Sequence, residues 1–563
     1  MKKVVFAFII VMIAFSSNAK NDFHFAILGD RTGGADQAAF EVVIKEINSL
    51  RPDFVINVGD FVEDGTSESD WDVPLETIEI FDCKIYFTPG NHDIRDEISA
   101  QTFKEKTGLD PYYSFDYEET HFVVLNNATI ESYDAFEEAQ VEWLIQDLSD
   151  INEKENIFVF MHKPFWADNI ALGKEDRFHR IFLENNVDAV FTGHWHQYAH
   201  NVFDGIEYFL VGSSGGSMPE ENVDLGIFYQ YMMCKVEDDK LYTSLIKSGN
   251  IFPKDLMTIQ EEQLAWQIPN KLINLLCQAK DDNKYAVELS ISNRNDKIIN
   301  EKLFIESEDN WIFEDKEILL TINPSDTLKT EFTIESRGKM FPLPSVKFTY
   351  PFGREKEYKY EAPLKIPRVV NCNYIRNIPV IDGKISLDDR SGADVINEFA
   401  DIESQPSEMS DPELFFLTDN EYLYIASKTS CPADSLKTLC LDRDSKVYSD
   451  DAIGFLISGK ENIICQFYVN SSGVIWDQRS DFNQGAHDLQ WNGHFEVKTE
   501  ISAQYWTAEI KIPLSELDME KNQSELNFNY RQYRQYDETS AYYFPEWSFS
   551  SIKYGVIKLL KSD

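Results

Sequence analysis

One pattern in the N-terminal part of the chain constrains its fold most: short apolar segments end where a residue able to bind a metal ion begins. The segments predict β-strands because they are short, apolar and bounded by glycine or polar residues. The residues that follow them are Gly29-Asp30, Gly59-Asp60, Gly90-Asn91-His92-Asp93, His162 and Gly193-His194-Trp195-His196. Ligands at the carboxyl ends of neighbouring parallel strands converge in space. The pattern therefore predicts one site built from all these segments.

Between the strands, the sequence has the period of amphipathic helices. Helices are predicted for residues 38–50, 136–148 and 177–185, and strands for residues 23–28, 54–58, 84–88, 121–125, 157–161, 189–192 and 208–211. Alternation of strands and helices is typical of a layered α/β domain, which we place at residues 22–250.

The rest of the chain has a different pattern, because helical periodicity fades and period-two runs replace it. Residues 285–292 and 328–334 are examples, and they predict a small β-sandwich at residues 270–365. This region resembles immunoglobulin-like spacer domains. Pro363 and Pro367 indicate a linker after it. A second all-β region is predicted at residues 378–560. A chain of 563 residues is too long for one core, so several domains are expected.

The N-terminus has the features of a secretory signal peptide over residues 1–19. Two lysines precede an apolar run, and small residues precede a cleavage point after Ala19. The alternative is a membrane anchor, but the run is short for a bilayer core of roughly 30 Å. We therefore expect a secreted or periplasmic protein without a membrane span.

The formal charge of −45 is spread along the chain and disfavours binding to a nucleic acid duplex or to anionic lipid. The seven cysteines occur singly, without a CxxC pair, so they predict neither a zinc ribbon nor a disulfide framework. Two interpretations stay open for Cys431 and Cys440: a disulfide-closed loop, or small buried thiols.

The residues of the predicted site are Asp, Asp, Asn and three His, apart from His92 and Asp93. Oxygen and imidazole ligands without thiolate suit zinc, manganese or iron. A bridging aspartate would allow two ions roughly 3.5–4 Å apart, which lower the pKa of bound water towards ~7 and hold the phosphoryl oxygens of a substrate.

The order GD, GD, GNHD, H and GHxH resembles that of the calcineurin-like metallophosphoesterases over residues 22–250. The resemblance implies a four-layer α-β-β-α sandwich and hydrolysis of a phosphate ester by metal-activated hydroxide. It implies that Asp60 bridges two divalent or trivalent ions (manganese, zinc or iron). Asp30 and His196 would hold the first ion, and Asn91, His162 and His194 the second.

The same resemblance assigns catalysis to His92 and Asp93. His92 would protonate the leaving alkoxide or bind a phosphate oxygen, and Asp93 would orient its imidazole by a hydrogen bond. Asn91 and His92 are also expected to contact the substrate. Arg31 has two interpretations of equal weight: its guanidinium contacts a substrate phosphate, or it forms a surface salt bridge.

One position departs from the family pattern. Many members have a histidine ligand two residues after the first aspartate, where this chain has Thr32. Because threonine is a poor neutral ligand, we expect the first ion to be held weakly. His121 and His200 are interpreted as structural or as neighbours of ligands. The loop at residues 212–217 either shapes the pocket or is a plain turn.

The region at 378–560 resembles family 9 carbohydrate-binding modules. The resemblance rests on Ile381-Asp382-Gly383-Lys384, on the segments at 417–426, 450–453 and 469–473, and on the strand at 506–512. Sugars stack on aromatic rings, so Trp476, Trp491 and Trp547 are the candidate contacts, although a core position is favoured for each. The tryptophan that usually follows the IDG segment is missing.

Two functions are compatible with the sequence. The first is an exported phosphomonoesterase or phosphodiesterase acting on a small-molecule or glycan-linked phosphate ester, with the C-terminal module directing it to a polysaccharide. The alternative is a catalytically impaired protein of the same fold that binds polysaccharide.

Overall fold

The computed structural model describes residues 22–151, 156–218, 220–281, 283–386, 392–409, 412–519 and 523–560. The signal peptide predicted at residues 1–19 lies outside them. The chain divides into two compact units, Met1–Ile268 with Pro351–Tyr358, and Pro269–Tyr350 with Lys359–Asp563.

The described part of the first unit contains strands and helices in alternation. The strands are β1 (Phe23–Leu28), β2 (Phe54–Asn57), β3 (Lys84–Phe87), β4 (Tyr113–Tyr117), β5 (Thr120–Val124), β6 (Asn156–Phe160), β7 (Ala189–Thr192), β8 (Ala199–Phe203), β9 (Ile206–Leu210), β10 (Tyr231–Glu237), β11 (Lys240–Lys247) and β12 (Asn250–Phe252). The α-helices are α1 (Gln37–Leu50), α2 (Glu68–Ile78), α3 (Glu97–Thr107), α4 (Glu138–Ser149), α5 (Ala167–Ala171), α6 (Arg177–Glu184) and α7 (Ile259–Gln267). Short 3-10 helices occur at Tyr133–Ala135 and Val223–Leu225.

Within the described residues, these strands form two mixed sheets with the orders β12-β11-β10-β1-β2-β3 and β4-β5-β6-β7-β9-β8. β1, β2 and β3 are parallel neighbours in the first sheet. β5, β6, β7 and β9 are parallel in the second. The carboxyl ends of the parallel strands therefore meet at one edge of each sheet, where crevices form.

The first unit has four layers, because the two sheets pack against each other and helices cover the outer face of each sheet. Aromatic rings fill the space between the sheets: the Phe25 ring lies 5.5 Å from that of Phe122, and the Phe54 ring lies 5.3 Å from it. The outer face of the first sheet packs on apolar side chains of α1, α2 and α3. At the second sheet, α6 is tied to β9 by a 2.7 Å hydrogen bond between His179 and Tyr208. The predicted four-layer α/β fold is confirmed.

The predicted elements are close to those observed. Strands at 23–28 and 189–192 have the expected bounds, and the other predicted strands and helices differ at their ends by one or two residues. The sequence analysis predicted none of α2, α3, α5, α7, β4, β8, β10, β11 and β12. α2 contains Pro74, and α3 has a low content of buried apolar residues, so neither has a strong helical period.

The second unit consists mainly of strands, as expected for all-β domains. They are β13 (Ile273–Asp281), β14 (Lys284–Ser292), β15 (Ile299–Glu306), β16 (Trp311–Phe313), β17 (Glu317–Ile322), β18 (Thr327–Ser336), β19 (Ser345–Phe352), β20 (Lys356–Pro363), β21 (Arg368–Tyr374), β22 (Glu413–Thr418), β23 (Tyr422–Ser430), β24 (Ala452–Lys460), β25 (Ile463–Asn470), β26 (Ile475–Asp481), β27 (Ala486–Asp488), β28 (Glu496–Ile501), β29 (Tyr505–Pro513), β30 (Glu525–Arg534), β31 (Thr539–Tyr542) and β32 (Gly555–Leu559). The described residues also form a π-helical turn at Ile268–Leu272 and 3-10 helices at Val447–Ser449, Leu514–Leu517 and Phe549–Tyr554.

Sheets β13-β14-β18-β16 and β17-β15-β19-β20 form the first part of this unit. In the second part, β21 pairs with strands on both sides. One run of strands has the order β21-β32-β30-β24-β25-β26-β27, and the other has the order β21-β22-β23-β29-β28. The core between these runs contains Phe455, Phe467 and Phe528 from one side and Ile425 and Ile510 from the other.

All seven cysteines are free thiols, so no disulfide closes the loop between Cys431 and Cys440. Cys431 is buried, as the second interpretation expects, whereas Cys440 is half-buried. Among the described residues, we find no helix that is long and apolar enough to cross a membrane.

His121 fastens α4 to the second sheet, which fits the structural role expected for it. Its Nδ1 lies 2.8 Å from Asp116 Oδ1 in β4, and its Nε2 lies 3.0 Å from Asp147 Oδ2 in α4. Burial lowers the pKa of His121, but the two carboxylates outweigh burial and the net pKa is raised. The two carboxylates therefore favour the charged form of the imidazole.

We expect this arrangement to stabilise the fold most at low pH. Because the folded pKa of His121 is raised, its contribution is complete below the unfolded pKa of about 6.5 and is lost as pH rises through the folded value. Asp147→Asn should therefore lower the melting temperature more at pH 6 than at pH 9, measured by circular dichroism. Glu142→Gln, an exposed change on the same helix, is the control. An equal loss at both pH values would contradict this account.

Candidate metal centre

The predicted ligands lie just beyond the carboxyl ends of parallel strands in the first unit. Asp30 follows β1, Asp60 follows β2 and Asn91 follows β3. His162 and the His194–His196 pair follow β6 and β7 of the second sheet. The two sheets thus contribute to one site, as the sequence pattern requires.

Asp60 is the centre of this arrangement. It is buried, and its backbone has the left-handed φ of 55°, which Asp tolerates better than most residues. Its Oδ1 accepts a 2.9 Å hydrogen bond from the His92 amide, and its Oδ2 lies 3.2 Å from His162 Nε2. The ligand atoms of Asp60, His162 and His194 all lie within 4.8 Å of one another, which is close enough for them to share an ion.

The imidazole of His162 is oriented by the main chain. Its Nδ1 donates to the Val58 carbonyl at 2.9 Å, so Nε2 faces Asp60 and lies 3.2 Å from Asn91 Oδ1. A backbone acceptor on one ring nitrogen is the usual way in which proteins fix a metal-binding histidine. Burial lowers the pKa of His162, but the Asp60 carboxylate outweighs it and raises the pKa to about 9.

His194 has the opposite electrostatic environment. Burial and the neighbouring His162 lower the pKa of His194 to about 4. Its imidazole is therefore neutral at pH 7, which is the state that binds metal ions. The two rings lie 5.0 Å apart and are nearly perpendicular.

Asp30 and His196 form the other part of the site. Asp30 Oδ2 accepts the His194 amide at 2.8 Å and lies 3.4 Å from His196 Nε2. The Nδ1 of His196 donates to the Ser217 carbonyl at 2.9 Å, which directs Nε2 to Asp30. Asp30 Oδ1 is buried and has no hydrogen-bond partner among the described residues. A buried carboxylate oxygen without a donor is costly, so a bound cation fits this position.

Two glycines are required because ligand carboxylates pass against them. A Cβ at Gly90 would lie 2.2 Å from Asp60 Oδ1, and one at Gly193 would lie 2.4 Å from Asp30 Oδ1. Both distances are well inside van der Waals contact, so any side chain there would displace a predicted ligand.

Thr32 reaches the centre of the site. It is buried, and its hydroxyl donates to Asp60 Oδ2 at 3.2 Å. The Thr32 hydroxyl, which stands in place of the usual histidine, thus forms a hydrogen bond with the carboxylate that is expected to bridge the ions.

The expected role of Asp93 is contradicted by the structure. Its Oδ1 accepts hydrogen bonds from the amides of Phe61 and Val62 at 2.9 and 3.0 Å, and its Oδ2 accepts one from the amide of Gly90 at 2.9 Å. The His92 imidazole instead donates Nδ1–H to the Glu63 carbonyl at 2.9 Å. Asp93 is turned away because residues 90–94 form a tight turn, closed by a 2.9 Å bond from the Ile94 amide to the Gly90 carbonyl.

Glu63 is therefore a neighbour of His92 that the sequence analysis missed. The signal available was an acidic residue three positions after Asp60, in the segment GDFVEDG. Nothing in that segment shows that a main-chain carbonyl would be the acceptor.

Arg31 is directed towards α1. Its Nη2 donates to Gln37 at 2.8 Å, and its guanidinium lies 5.3 Å from the centre of the Phe40 ring. Burial lowers the pKa of Arg31. The bond to Gln37 is not the surface salt bridge considered above, and the contact with a substrate phosphate stays a prediction.

The loop at residues 212–217 holds the first motif in place. The Ser213 hydroxyl and the Gly216 amide both donate to the Asp30 carbonyl, at 3.0 and 3.2 Å. The Gly29 amide donates to the Ser214 hydroxyl at 2.8 Å. His200 lies 3.3 Å from Glu207 across β8 and β9, outside these contacts.

Fold and site together define a class of protein. Residues 21–198 match the sequence profile described as calcineurin-like phosphoesterase. The N-terminal domain therefore belongs to this family of metal-dependent enzymes, as its motifs suggested.

Individual relatives are similar to this domain at low identity. Serine/threonine-protein phosphatase CPPED1 of Homo sapiens is 25% identical over 222 residues, which are 33% of this chain and 69% of the relative. A probable glycerophosphodiester phosphodiesterase, GpdQ of Arcobacter nitrofigilis, is 26% identical over 192 residues, which cover 30% and 67%. Among solved structures, a family 9 carbohydrate-binding module of Caldicellulosiruptor kristjanssonii in complex with cellotriose matches with a TM-score of 0.27 and 16% identity, covering 35% of this chain and 95% of that one.

We expect Asp93→Asn to destabilise the fold. Three backbone amides donate hydrogen bonds to the Asp93 carboxylate. In the variant, the asparagine NH₂ group would face one of these amides, and this leaves a buried donor without an acceptor at a cost of about 1–3 kcal/mol. Urea unfolding should show a loss of this size, while the exposed Asp82→Asn should show none. Unchanged stability with a large loss of turnover would instead restore a direct role beside His92.

Proposed function

We propose that this protein is an exported enzyme that hydrolyses phosphomonoesters or phosphodiesters with two bound metal ions, and that its last domain directs it to a glycan. One observation carries the catalytic part: strand ends of both sheets converge on the buried Asp60 carboxylate, beside an Asp30 oxygen that has no donor among the described residues. The export part rests on the signal peptide pattern in the sequence.

Asp30, Asp60 and His196 would hold the first ion, and Asp60, Asn91, His162 and His194 the second. The oxygen and imidazole donors suit manganese, zinc or iron. When bound, such ions acidify water and stabilise negative charge on phosphoryl oxygens. Because Thr32 replaces a stronger ligand, the first ion would be the more weakly held.

His92 is suited to give a proton to the leaving oxygen. Its Nδ1–H is engaged by the Glu63 carbonyl, so Nε2 is the nitrogen left to carry the transferred proton. Its side chain is one-third exposed, which allows contact with a substrate. The relatives are named as a phosphatase and as a probable phosphodiesterase, so both kinds of ester are reasonable substrates.

The glycan part rests on an aromatic surface of the second unit. In β25, Phe467 points into the core, so the adjacent Tyr468 points to the opposite face of the sheet. The Trp476 and Trp547 rings each lie 5.9 Å from the Tyr468 ring and are half-buried. Tyr448, which is partly exposed, continues the row 5.5 Å from Trp476.

The Tyr468 ring is itself buried and packs flat on the sheet. Gly454 lies under Tyr468, where a Cβ would come within 2.5 Å of the ring. The guanidinium of Arg531 lies 4.8 Å from the centre of the Tyr533 ring, and its Nε and Nη2 donate to Ser540 Oγ at 3.2 and 3.1 Å. Trp547 also packs on a small apolar cluster of Leu456, Ile464 and Ile552. Trp491 instead packs on the core that contains Phe467 and lies 5.7 Å from Phe495, so it is not part of this surface.

We expect hydrolysis to require the metal centre. After treatment with a chelator, the full chain should regain turnover of p-nitrophenyl phosphate or its bis ester when manganese, zinc or iron is added. Asp60→Asn should lose both bound metal and turnover. His92→Asn should keep its metal while turnover of phenyl phosphate, whose leaving group benefits from a proton, falls by about 10²- to 10⁴-fold, as is usual for loss of a general acid.

Matched surface variants control these experiments. Asp488→Asn changes an exposed aspartate, and His494→Asn changes a histidine whose side chain is 83% exposed. Both should behave as the unmodified protein. If Asp60→Asn hydrolyses both esters at full rate, the proposal is wrong, and glycan binding without hydrolysis would favour the impaired, polysaccharide-binding alternative.

We expect the aromatic surface to be needed for glycan binding. On an array of plant and microbial polysaccharides, Trp476→Ala and Trp547→Ala should each weaken binding about tenfold, because each removes roughly 1.4 kcal/mol of ring stacking. Trp266→Ala, which removes a tryptophan that is 55% exposed in the first unit, should have no effect. A full chain that binds no glycan, or an equal loss with Trp266→Ala, would contradict the directing role.

A further inference from the structure

The side chain of Glu63 contacts the glycine turn that follows Asp30. Its Oε1 accepts the Gly33 amide at 3.2 Å, and its Oε2 accepts the Gly34 amide at 3.2 Å. The two carboxylate oxygens thus bind two consecutive amides. Hydrogen bonds to a carboxylate are stronger than those between neutral groups.

Only glycines allow this contact. Gly33 and Gly34 have φ values of 77° and 98°, in the left-handed region that other residues rarely adopt. Gly33 also lies against the site, because a Cβ there would be 2.8 Å from Ser217 Oγ and 3.8 Å from His196 Cε1. The glycine turn therefore has a fixed position relative to a predicted metal ligand.

The main chain of the same glutamate touches His92. The Glu63 carbonyl accepts Nδ1–H of the imidazole at 2.9 Å, and its Oε1 lies 3.9 Å from that nitrogen. Arg95 adds a weaker donor to this carbonyl at 3.4 Å. One residue thus contacts both the glycine turn and the proposed proton donor.

We infer that Glu63 is a positioning residue: by binding the Gly33 and Gly34 amides, its carboxylate fixes the carbonyl that orients the His92 imidazole. The inference rests on the proposed function, in which His92 gives its proton to the leaving oxygen. The Glu63 side chain is 47% exposed, so it contributes little to burial. Its main effect is therefore on the geometry of proton transfer, where an error of about 1 Å can cost 10²-fold in rate.

Leaving groups of different basicity test this role. p-Nitrophenolate departs without a proton, whereas phenolate benefits from one. Glu63→Ala should lower kcat for phenyl phosphate about 10- to 100-fold, with a much smaller loss for p-nitrophenyl phosphate and little change in KM for either. Glu63→Gln keeps one oxygen acceptor and should restore part of the lost rate.

Three measurements separate this inference from simpler explanations. Thermal unfolding and metal content, measured by inductively coupled plasma analysis, should match those of the unmodified protein. Glu68→Ala, which removes an exposed glutamate in the first turn of α2, should leave both esters unaffected. An equal loss on both esters, lost metal, or full activity in Glu63→Ala would each overturn the positioning role. If Asp60→Asn is also fully active, the proposed function itself has failed.

Discussion

The contact between the Asp60 carboxylate and the His162 imidazole is the interaction on which the site depends. It joins the two sheets, because Asp60 follows β2 and His162 follows β6. A buried negative charge is costly unless it is paired, so the sheets must meet in a way that brings a cation or a charged imidazole to it. The aromatic layer between Phe25, Phe54 and Phe122 supplies the apolar packing that makes this meeting stable.

Main-chain groups do most of the orienting around this contact. Carbonyls of Val58, Ser217 and Glu63 each accept an Nδ1–H from a histidine, and the amide of His194 binds Asp30. Because these groups belong to strand ends and tight turns, their positions are set by the sheets. A site of this kind should keep its geometry when surface side chains change.

Residues whose role follows from position along a strand were predictable. Asp30, Asp60 and His162 each stand where an apolar segment ends, so their convergence follows from the rules of parallel sheets. The partner of His92 was not predictable, because adjacent residues in the 90–94 turn point in different directions and Asp93 accepts hydrogen bonds from three amides.

The roles of the tryptophans in the last domain were equally ambiguous from the sequence. Trp476 and Trp491 look alike in sequence, yet only the pairing of β25 with β26 places Trp476 on the outer face.

The sequence by itself determined the donor chemistry and the class of fold, because ligand types and strand periodicity are local properties of the chain. The tertiary structure decided which atoms are satisfied: it leaves Asp30 Oδ1 without a donor, gives Thr32 a bond to Asp60, and assigns His92 to a carbonyl of Glu63. These outcomes depend on contacts between residues far apart in the chain, such as the bond from His194 to Asp30 across 164 positions. Such contacts are fixed only when both sheets have packed, and no local pattern records them.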